Sequence, residues 1–271
     1  MDRSVTTNRN VILFSPSFIL RCVWLTLVLV FLFAPVVVTV LGSFAATWQQ
    51  RPWEAFTLEW YQYVFRVYGN TIRVSLLVAT CASITTTVIG VLAAYALARY
   101  EFRGRGLLED MLLLPLTLPG LALGLAIVQT YSLLRGQLVL LLLGHVLFTL
   151  PYFIQIVVAS LRTSGVLQLE AAAASLGANW AQRFVMVILP SIRNSVLSAA
   201  LIVATLSLGE FNLSYFLYTP TAMPLPVGMY EAYASLRIEV GSAFTTLFLA
   251  ILLPVLLLGQ MLGRVRAASS T

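Results

Sequence analysis

The chain has 271 residues, 60% of them hydrophobic and 10% charged, with a formal net charge of +6. A soluble domain carries about a quarter charged residues, so this composition excludes an ordinary globular protein and makes the bilayer the natural solvent. All sixteen basic residues are arginines set singly or in small groups between apolar runs, a pattern that orients a membrane protein and speaks against a nucleic-acid-binding face.

The apolar runs approach the roughly 20 residues that cross a hydrocarbon core. They predict one all-α polytopic bundle of about six transmembrane helices. After an N-terminal segment, 1–22, the first span falls at 23–41. It is longer than the apolar region of about 7 to 15 residues in a secretory signal, so it reads as retained, with Pro35 a tolerated kink. Cys22 and Cys81 lie at or inside apolar stretches without metal-ligand or disulfide-framework spacing, which gives them a packing role. The connection 42–73 is rich in aromatic residues, among them Trp48, Trp53, Trp60, Tyr61, Tyr63 and Tyr68. Such a segment suits an interfacial helix or cap, or an ordinary aromatic belt, at the headgroup level.

The second span falls at 74–97, the third at 111–134 and the fourth at 138–161. The turn around Arg135 and Gly136 makes the last two an antiparallel hairpin. Pro115 and Pro119 break the third span. A broken helix is tolerated at membrane depth where it packs on protein or lines water, which places Pro119 beside a candidate solute path. In the fourth span Gln155 is a further path candidate. His145 lacks a second ligand at metal spacing and suits an interhelical hydrogen bond.

The fifth span, 196–218, contains Glu210, Asn212 and Tyr215. A carboxylate at the bilayer centre costs roughly 2.5 to 3.5 kcal/mol on insertion scales, so Glu210 should face the bundle interior or an aqueous cavity. Two structural alternatives stand beside the path reading: a pair with an arginine at the same depth, or a solvated outer position. The sixth span falls at 243–262 and a short tail, 263–271, follows.

Eleven of the sixteen arginines lie in the N-terminus, the second and fourth connections and the C-terminus. The positive-inside rule therefore puts both termini in the cytoplasm. It does the same for the fourth connection, 162–195, whose loop 162–192 is long for a compact bundle and so reads as functional. Its Ala-rich start, Glu170 to Leu176, favours helix, and Gly177 suits the left-handed residue that ends one. Asn179 and Gln182 have the spacing of a capping box opening the next helix, and Pro190 closes the unit.

This helix, turn, helix segment resembles the coupling loop of permeases of binding-protein-dependent ABC importers: Glu-Ala-Ala, three residues, Gly, nine residues, Ile-x-Leu-Pro. Ala172, Gly177, Val187, Leu189 and Pro190 match in register. The family's acid position holds Ala171, with Glu170 one residue earlier, and one residue turns a helix face by about 100°. Pro115, Pro119 and Gly124 are similar to the third-span pattern of the spermidine and putrescine branch.

The resemblance implies a type I, MetI-like permease in a bacterial inner membrane, with Glu170, Ala171, Ala172, Gly177, Ala178, Asn179, Leu189 and Pro190 in its ATPase-coupling loop. It also implies the partners: an ATP-binding subunit dimer that holds the ATP, a second permease chain or a copy of this one, a periplasmic or lipoprotein solute receptor, and membrane lipids. For the solute, the third-span prolines and the run around Glu210 resemble the polyamine branch and relatives importing aminoethylphosphonate or iron.

The chain contains no lysine, hence no phosphate-binding Gly-Lys-Ser/Thr loop, and no nucleophile elbow or paired histidines. It reads as a transport subunit without an enzyme site or cofactor of its own. The rivals are a stand-alone secondary transporter or channel, which should show paired broken segments in two related halves, and a membrane-embedded scaffold.

Overall fold

The computed structural model describes residues 16–48, 56–235 and 237–268. The described residues are almost entirely helical. Helix α1, Pro16–Gly42, leads to α2, Glu59–Arg99, then α3, Arg105–Thr117, α4, Gly120–Thr130, and α5, Leu138–Thr163. A second group follows: α6, Val166–Ser175, α7, Trp180–Gln182, and α8, Leu189–Gly209. Last come α9, Ser214–Leu217, α10, Leu225–Ala234, and α11, Ile238–Ala268.

Among the described residues five helices are long and apolar enough to cross a membrane, and α3 with α4 makes a sixth crossing if the bent pair is one span. The centre of the bundle is α2 packed on α5 and α8, with α11 closing on α8. The side chains between them are buried: Ala94, Phe153, Val157, Ile192, Ala199 and Val203 have essentially no exposed surface. α1 is the opposite case. Its side chains are exposed almost throughout and it touches the bundle mainly through α11, as suits a helix solvated by lipid or by another membrane subunit.

Three elements take a more specific form than the sequence reading gives them. The aromatic connection does not form a separate interfacial helix among its described residues: Trp60, Tyr61, Tyr63 and Tyr68 belong to the first turns of α2. They are tied there by Trp60 Nε1 donating to the Ala45 carbonyl and by the Ser43–Tyr61 hydroxyl pair. Trp53 lies outside the described residues. The third span is two helices, α3 and α4, at 106° to each other, because Pro119 withholds an amide and drives Leu118 into extended backbone. The fifth span likewise stops at Gly209 and resumes as the single turn of α9. At its other end, α7 runs through a π-helical stretch, Arg183–Ile188, into α8.

Candidate coupling surface and broken-helix site

The loop 162–192 is built from local rules. α6 ends in a Schellman motif: the Ala178 amide donates to the Ala173 carbonyl and the Gly177 amide to that of Ala174, with Gly177 at φ +86°. Asn179 then opens α7 with both arms of a capping box, its side chain accepting from the Gln182 amide and Gln182 Oε1 accepting from the Asn179 amide, each at 2.9 Å. The two motifs fix a tight elbow. Apolar side chains stand on its outside: Leu176 is 89% exposed and Met186 73%, flanked by Leu169, Trp180 and Val185. Ala171, Ala172, Gly177 and Asn179 are exposed on the same loop, Ala178 and Leu189 are half-buried, and Pro190 starts α8 at the surface.

Glu170 is the inward anchor of this elbow. Its side chain is completely buried. One carboxylate oxygen accepts from the Tyr95 hydroxyl at 2.9 Å and from Arg183 Nη1 at 3.1 Å, while the other accepts from Arg99 Nε at 2.9 Å. The cluster joins α6 to the end of α2 and to the start of the π-helical stretch. Trp180 stacks on Phe184, which meets the Tyr95 ring edge-on. The sequence places Glu170 in this loop one residue before the family's acid position, and its carboxylate turns inward to form the loop's foundation. Burying a carboxylate is tolerated here because two guanidinium groups and a hydroxyl satisfy it.

The second candidate region is where the two broken helices meet. Pro119 caps α4, and the adjacent Gly120 has no room for a side chain: a Cβ there would sit 2.9 Å from Cβ of Asn212 and 3.5 Å from Glu210 Oε1. The absence of a side chain lets one break lie directly on the other. Gly124, buried one turn on, faces the Leu213 carbonyl. Glu210 is half-buried and its Oε1 accepts from the Leu213 amide at 2.7 Å, capping the turn that begins α9. Asn212 is exposed, and so is Tyr215, whose ring joins those of Phe211 and Tyr230 at 5.5 and 5.6 Å. No arginine pairs with Glu210 among the described residues.

The structure therefore brings Pro119, Glu210, Asn212 and Tyr215 together and leaves Gln155 apart. Gln155 lines a cavity of about 390 Å³ between α3 and α5, walled by Leu112, Pro151 and Ile154 and edged by Glu109 and Arg162. Glu109 accepts from Arg162 Nη2 at 2.9 Å and from Arg105 Nε at 3.0 Å, which pins α3 to α5.

The geometry is that of a polytopic membrane bundle with a capped helical elbow and two helix breaks in contact. Its relatives make the assignment specific. Residues 86–266 match the family described as binding-protein-dependent transport system inner membrane component, and the chain belongs to that family. Over 260 residues it is 27% identical to the spermidine/putrescine transport system permease protein PotC of Escherichia coli K12, covering 93% of this chain and 97% of the relative. It is 30% identical to the putrescine transport system permease protein PotI of the same strain, covering 86% and 85%. It is also 30% identical to the putative 2-aminoethylphosphonate transport system permease protein PhnV of Salmonella typhimurium LT2, covering 84% and 87%. The fold matches a chain of a bacterial ABC transporter importing alginate, with a TM-score of 0.72 at 14% identity over 92% of this chain and 96% of that one. The protein is thus an inner-membrane permease subunit of an ABC importer.

Proposed function

We propose that this subunit forms half of a pathway for a small amine-bearing solute, polyamine or aminoethylphosphonate in type. In this reading the elbow at 162–192 docks on a dimeric ATPase that binds the ATP, a second and non-identical permease completes the pathway, and a soluble or lipid-anchored receptor delivers the solute. Both termini and the elbow face the cytoplasm in this reading, which the arginine distribution supports.

The observation that carries this proposal is the exposed apolar tip, Leu176 and Met186, held on a locally capped turn and anchored from below by Glu170. A rigid apolar projection beside the bilayer suits insertion into a partner's groove, where a few large buried side chains dominate binding. From the elbow, α8 runs 21 residues to Gly209, a reach of about 30 Å at 1.5 Å per residue. It ends at Glu210. Motion imposed on the tip thus arrives at the break where the solute candidates gather. The names of the relatives and the carboxylate of Glu210 support an amine-bearing solute.

Two measurements test the proposal. Leu176→Asp with Met186→Asp is expected to reduce co-purification of the ATPase from membranes by about tenfold or more, since buried apolar anchors are each worth about 2 kcal/mol. Undiminished recovery would move the dock elsewhere. Glu210→Gln keeps an oxygen for the Leu213 amide and removes the charge. It is expected to lower kcat/KM for putrescine uptake about tenfold, the scale of one lost charge-assisted contact. Unchanged kinetics would leave Glu210 as a cap alone, and iron or another small ion taken up in place of amines would overturn the solute assignment.

A further inference from the structure

A helix interrupted at membrane depth needs its freed polar groups met and its two halves held at a fixed angle. Glu210 accepts from the Leu213 amide within the break. It ties neither half to the rest of the bundle. That connection comes from α5. The imidazole of His145, 1% exposed, lies with Nδ1 2.7 Å from Ser207 Oγ near the end of α8 and Nε2 2.9 Å from Ser214 Oγ, the first residue of α9. One ring bonds both sides of the break. A neutral imidazole donates from one nitrogen and accepts at the other, and a serine hydroxyl serves either role, so all the ring's polar capacity is used.

The strut is itself braced. Thr149 Oγ1 donates to the His145 carbonyl at 2.8 Å and lies 3.3 Å from the Thr86 hydroxyl of α2, both threonines having no exposed surface. The buried polar line therefore runs from α2 through α5 to both halves of the fifth span. Fully satisfied networks of this kind select one arrangement over its neighbours. We propose that His145 is a positioning residue for transport: by setting α9 against α8 it fixes where Glu210, Asn212 and Tyr215 stand. The inference rests on the reading of those three as the solute path.

The test uses the complete importer with Cys22 and Cys81 replaced by alanine and one cysteine returned, either Asn212→Cys at the break or Gln155→Cys in the separate cavity. The probe is a cationic, water-soluble methanethiosulfonate, applied with and without ATP, and the readout is the labelling rate. Adding His145→Leu is expected to change the rate at position 212 about fivefold or more, the effect of losing two buried hydrogen bonds, and to leave position 155 as it was. His145→Gln, which restores one bond, should fall between. Ser207→Ala combined with His145→Leu should add less than the two changes separately, as partners in one network do.

Should His145→Leu not insert, Ser207→Ala with Ser214→Ala carries the same comparison. An unchanged rate at position 212, or an equal change at 155, overturns the positioning role while leaving the path in place. Absence of labelling at 212 in the otherwise unaltered importer, with or without ATP, removes the path reading and the proposal with it.

Discussion

Replacing Glu170 with alanine is expected to reduce ATP-driven uptake at least about tenfold and to destabilise the elbow by about 2 kcal/mol. Removing one member of a buried ion cluster leaves the others uncompensated, a loss of about 3 to 5 kcal/mol where the partners are fully enclosed. Arg99 is 38% exposed and Arg183 20%, so water recovers part of that loss. The buried Tyr95 hydroxyl and the partly buried guanidinium of Arg183 are left without their acceptor. Proteolysis within 162–192 should quicken and Tm of the purified complex should fall. The double variant Glu170→Ala with Ala171→Glu discriminates further. It returns an acid to the family's position, but on the exposed side of α6, about 100° away. It should therefore leave the stability loss uncorrected. Full recovery of Tm would show that the inward cluster is not what anchors the loop.

How far the molecule was legible in its sequence follows from the range of the interactions. Gly177, Asn179 and Gln182 form motifs closed within a few residues, and the chain order alone specifies them. The cluster around Glu170 draws on Tyr95 and Arg99, 75 and 71 residues away, and sequence offers nothing to match them beyond the arginine count of a connection. Tyr95 and Arg99 are spaced to share one face of α2, a signal visible only once Glu170 is known to turn inward.

The breaks divide in the same way. Pro119 announces the interrupted third span, whereas Pro115, expected to break it too, is accommodated inside α3; neither gives the 106° angle, which depends on how α4 lies on α9. The fifth span looked continuous because its interruption uses no proline. Glu210 was conspicuous as a carboxylate in an apolar run, yet its cap to the Leu213 amide is what reveals that the helix has stopped there. His145 announced a hydrogen bond between helices, and the two serines that receive it are identified only by the fold.

Gly177 gives the other large effect, and there the order of substitutions is the informative result. Its φ of +86° is a left-handed conformation that L side chains adopt at about 1 to 2 kcal/mol. A Cβ at Gly177 would meet nothing within 4 Å, so steric contact contributes nothing and backbone preference alone sets the outcome. Asparagine tolerates this region best, alanine less well. Proline cannot reach it, since its ring holds φ near −65°, and it also removes the amide that donates to Ala174. Uptake should accordingly fall little for Gly177→Asn, about threefold to tenfold for Gly177→Ala, and to background for Gly177→Pro. Membrane insertion should be equal in all three, because the spans do not depend on the turn, and ATPase co-purification should follow the order of uptake. A proline variant as active as the asparagine one would mean that the elbow's shape does not govern coupling. Loss of uptake with full ATPase recovery would place the role of Gly177 in transmitting the motion after docking.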